Sequence, residues 1–199
     1  TLLGEGDAAL AETITDRVGG FSLDIPAEGV FSLAFEREGF GSVRRFDVDR
    51  EAGRIEVTLF ARSTARVTTV EAEARPCGAV PCLRTAMTVD RFLGPATSRR
   101  VFRFFYSRNA DPGPGNHDVT HAVFVPNDQP GLRLDGTTAH LELDGSWSPI
   151  ASFPSGSTIH LRVYGATENL TNSYVDPVTG MEVFTDLSPE WAQTTFIMP

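Results

Sequence analysis

The chain contains no lysine: all 17 of its basic residues are arginine, and they are outnumbered by 26 acidic residues for a net charge of -9. Lysine-free basicity reads first as the coding bias of a GC-rich genome, and secondarily as a surface supplied with planar, bidentate donors for carboxylates. The acidic balance excludes an extended phosphate-binding face and hence nucleic acid as a partner. Long apolar runs are also missing. Every one is of strand length, far short of the roughly 18 to 20 residues needed to cross a bilayer, and no charged start followed by an apolar signal core is present. With 41% hydrophobic and 22% charged residues, the composition is that of a folded globular protein.

Cysteine is scarce, and both copies lie in Pro76-Cys77-Gly78-Ala79-Val80-Pro81-Cys82. Gly78 and the two prolines favour a tight bend that brings the sulfurs together, so the spacing predicts a Cys77–Cys82 disulfide and an oxidising compartment. Two reduced, buried thiols are the plainer alternative. A zinc site on these two cysteines is not expected.

Helical periodicity is nearly absent too. Period-two alternation bounded by Gly, Pro, Asn and Asp recurs about every ten residues, as in sandwiches and barrels, and the fold class predicted is all-β. The early strands expected are Phe21–Ile25, Phe31–Phe35 and Ile55–Leu59. The pattern dissolves over Ala61–Arg66, which divides the chain into two consecutive β-sandwich domains, 1–61 and 67–199. In the second, strands are expected at Val67–Glu73, Leu83–Val89, Arg100–Tyr106, Val119–Val125, Ala139–Leu143, Thr158–Tyr164 and Thr194–Ile197, with a hairpin over Ser173–Phe184. Two cores follow: Leu23, Phe31, Leu33, Phe35, Val57 and Leu59 in one, and Phe102, Phe104, Val123, Leu141, Leu161 and Val163 in the other.

Within the first 60 residues, three linked elements occur in order: Thr13 to Leu23 with Thr15-Asp16 and Gly19-Gly20-Phe21, then Ile25 to Leu33 with Pro26 and Gly29, then Glu38-Gly39-Phe40. Asp16 ends a strand with a side chain able to bond the turn backbone, and Gly19 relieves the strain of that turn. This pattern resembles the carboxypeptidase regulatory-like domains, which share a transthyretin-like sandwich. The resemblance covers about a third of the chain. It implies a fold and a secreted or envelope setting rather than an activity, because such modules accompany catalytic, receptor or adhesive domains. The family has a strand before the position of Thr1. The first domain is therefore expected to be completed by upstream residues or by a partner's strand laid along Thr1, Leu2 and Leu3.

No metallopeptidase, nucleophile-elbow or phosphate-loop motif occurs, and no catalytic residues are assigned. Asp111, Asn116 and Asp118 are hard oxygen ligands on one loop and form a candidate calcium site, the only cofactor considered beside none. His117 and His121 can hold a transition metal only if the loop folds back, being about 13 Å apart on an extended strand. An ordinary inter-strand turn accounts for the same residues. Trp147 and Trp191 lie in loop-like sequence and are candidates for partner contact, against the alternative that each caps the end of a sandwich. Asn169-Leu170-Thr171 is a glycosylation sequon, informative only in a eukaryotic secretory setting.

The expected function is a non-catalytic accessory or scaffolding subunit, not an enzyme, periplasmic or extracellular and membrane-tethered only through an upstream segment. Its expected partners are other protein subunits of an envelope or membrane-associated complex. A carbohydrate-binding or adhesive module is the alternative.

Overall fold

The computed structural model describes residues 1–26, 28–49, 51, 53–91, 100–125, 131–143, 148–168 and 172–199. It is all-β, with one short 3-10 turn at Glu5–Asp7 and no α-helix among the described residues. No described helix is long and apolar enough to cross a membrane.

The N-terminal sheet is built from β1 (Leu2–Leu3), β2 (Ala9–Ala11), β3 (Phe31–Phe35) and β4 (Val43–Val48), in the order β2-β1-β3-β4. Leu2, Phe31, Leu33 and Val48 are its buried centre, with Leu23, Ile25, Phe35 and Ile55 packed against them. Thr1–Leu3 is thus not an open edge. Leu2 pairs with Ala11 on one side and Leu33 on the other, and both Leu2 and Leu3 are buried. The expectation that a missing strand bares Thr1, Leu2 and Leu3 is corrected by this register: the chain doubles back through the 3-10 turn, and Ala9–Ala11 occupies that edge. Phe21–Ile25 and Ile55–Leu59 keep their alternating burial but form no ladder. Phe21 meets Phe35 edge-on with ring centroids 5.4 Å apart. The Asp16 turn forms as its residues dictate. Asp16 Oδ1 accepts the amides of Val18 and Gly20 at 2.9 and 2.8 Å, and Gly19 takes φ +84°, where a side chain would be strained.

The rest of the chain forms two four-stranded antiparallel sheets that share one core. The first has β5 (Val67–Arg75), β6 (Cys82–Val89), β9 (Leu132–Asp135) and β10 (Thr138–Leu143), in the order β5-β6-β10-β9. The second has β7 (Arg100–Ser107), β8 (Val119–Val125), β11 (Thr158–Ala166) and β14 (Trp191–Ile197), in the order β14-β11-β7-β8. Leu83 and Met87 of the first sheet pack with Phe102, Phe104, Val123, Leu161 and Val163 of the second in a sandwich-like arrangement. The hairpin of β12 (Ser173–Val175) and β13 (Glu182–Phe184) forms a separate two-stranded sheet. Its turn is fixed by Asp176, whose carboxylate accepts the amides of Val178 and Thr179, and by Gly180 at φ +68°.

The segment between the N-terminal sheet and β5 is bonded on both sides. Arg62 donates its amide to the Gly39 carbonyl and Ser63 to the Asp186 carbonyl, each at 2.9 Å. A Cβ on Gly41 would overlap the carbonyl of Thr185, and one on Gly165 that of Ala65, so backbones meet there that only glycine permits.

Cys77 and Cys82 are bonded, with Cα atoms 5.5 Å apart, across the turn from β5 to β6. Closing so short a loop restricts the unfolded chain by about 2 kcal/mol. Alkylation of unreduced, denatured protein is expected to label neither cysteine, and Cys77→Ser with Cys82→Ser to lower unfolding stability by about that amount. Labelling of both thiols without reductant contradicts the pairing.

Candidate functional site

β7 has no face toward solvent. Every residue from Val101 to Ser107 is buried. Phe102, Phe104 and Tyr106 enter the shared core, while Val101 and Phe105 point the other way into a second cluster with Tyr164, Ala166, Phe184 and Leu187. That outer face is covered by the β12–β13 hairpin and by the loop from Arg108 to Asp118.

Two buried arginines lie on this face. Arg103 stacks its guanidinium 3.7 Å from the Phe184 ring centroid, and its Nε has no partner among the described residues. Burial lowers its pKa, partly opposed by the nearby charges of Asp186 and Glu182. Arg162 is better supplied. Its Nε and Nη2 donate to Gln193 Oε1 at 3.0 and 2.7 Å, Nη1 donates to the Tyr164 hydroxyl at 3.4 Å, and Nη2 also pairs with Asp111. The Trp191 ring lies over the same guanidinium at 3.9 Å. Burial raises the Tyr164 pKa, with the Arg162 hydrogen bond opposing it. Because the Asp111 side chain is 81% exposed, its ion pair positions the loop more than it stabilises the fold.

The oxygen ligands considered for calcium serve different groups. Asp111 pairs with Arg162, while Asn116 donates to the Asp111 carbonyl at 2.7 Å. Asp118 accepts the Arg108 amide at 2.8 Å and the Ser107 hydroxyl at 3.4 Å. Among the described residues no group of three His, Cys, Asp or Glu side chains is placed to hold a metal ion. His117 and His121 do not meet. His117 packs on Phe105 and Phe184 outside the sheet, and His121 on Phe104 and Tyr106 inside it. Trp147 lies outside the described residues.

Trp191 opens β14 and is 45% exposed. Beside it is an open hollow of about 330 Å³ lined by Tyr164, Phe184, Ser188, Arg62 and Ser42 among others. A second hollow of about 430 Å³ shares Ser42 and Arg62 and continues to Phe40, Arg37, Glu36 and Glu38. The trench therefore runs from the outer face of the β14-β11-β7-β8 sheet to the β3–β4 connection of the N-terminal one. Position in sequence had marked Trp191, but not Arg62, Ser42 or Phe40, which come together only through the backbone contacts at Gly41 and Ser63.

Comparisons with protein-family models, with curated proteins and with solved structures find no match to this chain.

His121 adds a pH-dependent contribution in the acid range. Both ring nitrogens are buried without partners among the described residues, as is the Tyr106 hydroxyl, and burial, with the Arg103 charge added, lowers the His121 pKa from 6.5 to about 4. The fold holds the neutral ring, so its contribution is complete above pH 6.5, declines as pH falls toward 4 and is gone below that. The loss is on the order of 3 kcal/mol. Urea unfolding of the native protein and His121→Phe at pH 7 and pH 4 is expected to show a smaller acid loss in the variant; equal losses contradict the assignment.

Proposed function

We propose that this protein is a non-catalytic accessory subunit of an extracellular or cell-envelope assembly, and that it engages a partner protein along the open edge of its N-terminal sheet. The observation that carries the reading is the state of that edge. β2 ends the sheet with its outer backbone groups unpaired among the described residues. The strand and the stretch running on from it expose apolar side chains: Leu10 within β2 is 50% exposed, and Ile14 and Val18 beyond it are each 92% exposed. An edge strand of Ala-Leu-Ala with no charge or proline within it, flanked by bare Ile and Val, is suited to accept a strand from another chain.

The setting proposed rests on the Cys77–Cys82 disulfide, which is compatible with an oxidising compartment. We take residues 1–61 and 67–199 as two β-sandwich domains, supported by their separate clusters of buried residues. The resemblance of the first to carboxypeptidase regulatory-like domains is supported by the Asp16 turn and by the Phe31 and Leu33 core row.

Backbone hydrogen exchange on the isolated chain and on the natively isolated assembly tests this reading. The amides of Ala9–Ala11 are expected to slow by about tenfold or more in the assembly. Ile14→Asp with Val18→Asp should abolish assembly without altering the disulfide or the unfolding midpoint. Equal exchange in both states, or an unaffected double variant, refutes it.

A further inference from the structure

The trench between Trp191 and Phe40 has the chemistry of a carbohydrate site, and we propose that it binds a neutral oligosaccharide. It lies by the β3–β4 connection, across the N-terminal sheet from β2, so the inference is independent of the partner-protein reading.

Two aromatic rings mark its ends. Each is covered on one side by a guanidinium: Arg162 lies 3.9 Å from the Trp191 centroid and Arg37 lies 4.6 Å from that of Phe40. Arg162 is itself fixed by Gln193, Tyr164 and Asp111, so one face of the half-exposed indole rests on a guanidinium that is held in place. A fixed, half-exposed aromatic plane costs little entropy on binding and accepts the apolar C–H face of a sugar ring. Between the rings, Ser42, Ser188, Arg62 and the flanking Glu36 and Glu38 offer hydroxyl, guanidinium and carboxylate groups, the donors and acceptors that vicinal sugar hydroxyls require. Arg62 makes no ion pair among the described residues, and only its backbone amide is bonded within the fold.

Charge decides the ligand class. The trench carries Arg37 and Arg62 against Glu36 and Glu38, and the whole chain has a net charge of -9. Two of each sign leave no excess positive field to hold a polyanion. An open, polar trench with aromatic ends also differs from the enclosed, mostly apolar pockets that take small hydrophobic ligands.

The test is affinity electrophoresis of the native protein in gels containing a soluble β-glucan, xylan or galactomannan, with polygalacturonate as the acidic comparison. Retardation by at least one neutral polysaccharide is expected. Trp191→Ala should weaken it about tenfold or more, and Arg62→Ala, at an exposed position outside both cores, should weaken it with the unfolding midpoint unchanged. Assembly with the partner protein should be unaffected by either change. Retardation by none of the neutral polysaccharides, retardation by polygalacturonate alone, or full retention in both variants overturns the proposal. So does loss of the protein assembly in Trp191→Ala without any polysaccharide binding, which would make the indole a protein contact.

Discussion

The structure depends on a strand that cannot face water. In β7 the core row Phe102, Phe104 and Tyr106 alternates with a second set, Val101, Arg103 and Phe105, that is also buried. One sheet packed on another buries only one row. The opposite row must be covered by something else, and here the cover is the hairpin from Ser173 to Phe184 and the loop from Arg108 to Asp118. Phe184 closes the gap: it meets Phe105 at 5.7 Å, His117 at 6.2 Å and the Arg103 guanidinium at 3.7 Å. A bare apolar row along a central strand would otherwise be an aggregation surface.

The cover in turn organises the junction with the N-terminal sheet. Asp186, just beyond the hairpin, is buried; its carboxylate accepts the Thr167 amide and hydroxyl while its carbonyl accepts Ser63 from the connecting segment. One residue earlier, the Thr185 carbonyl sits where a side chain at Gly41 would be. The trench beside Trp191 is lined by Thr185 and by its neighbours Phe184 and Leu187. Its shape follows from a packing requirement on β7 several strands away in sequence.

Much of this was legible in the residue order. β6 and β10 follow their period-two alternation because each turns one face into the shared core, and the Cys77–Cys82 pairing follows from a six-residue bend that holds Gly78 and Pro81. Leu132–Asp135 is too short for alternation to mark it as a strand, although Asp135-Gly136 ahead of an alternating stretch is a hairpin signal. Phe21–Ile25 and Ile55–Leu59 show the converse: alternation sets which side chains turn inward but not whether the backbone finds a neighbour to pair with. The site was less legible. An arginine within Val101-Phe102-Arg103-Phe104-Phe105 reads as a solvent-facing position, and only Val101 and Phe105 on its own face hint that it is covered. The edge was misplaced because Leu2 and Leu3 carry no record of the 3-10 turn that returns the chain beside them.

The claim that the outer cover is structural core is tested most directly by equilibrium urea unfolding of Phe184→Ala. The account predicts a loss of about 3 kcal/mol or more, as for a buried Phe truncated within a packed cluster, together with faster amide exchange in the 108–118 loop. A change within about 0.5 kcal/mol, as at an exposed position, would contradict it.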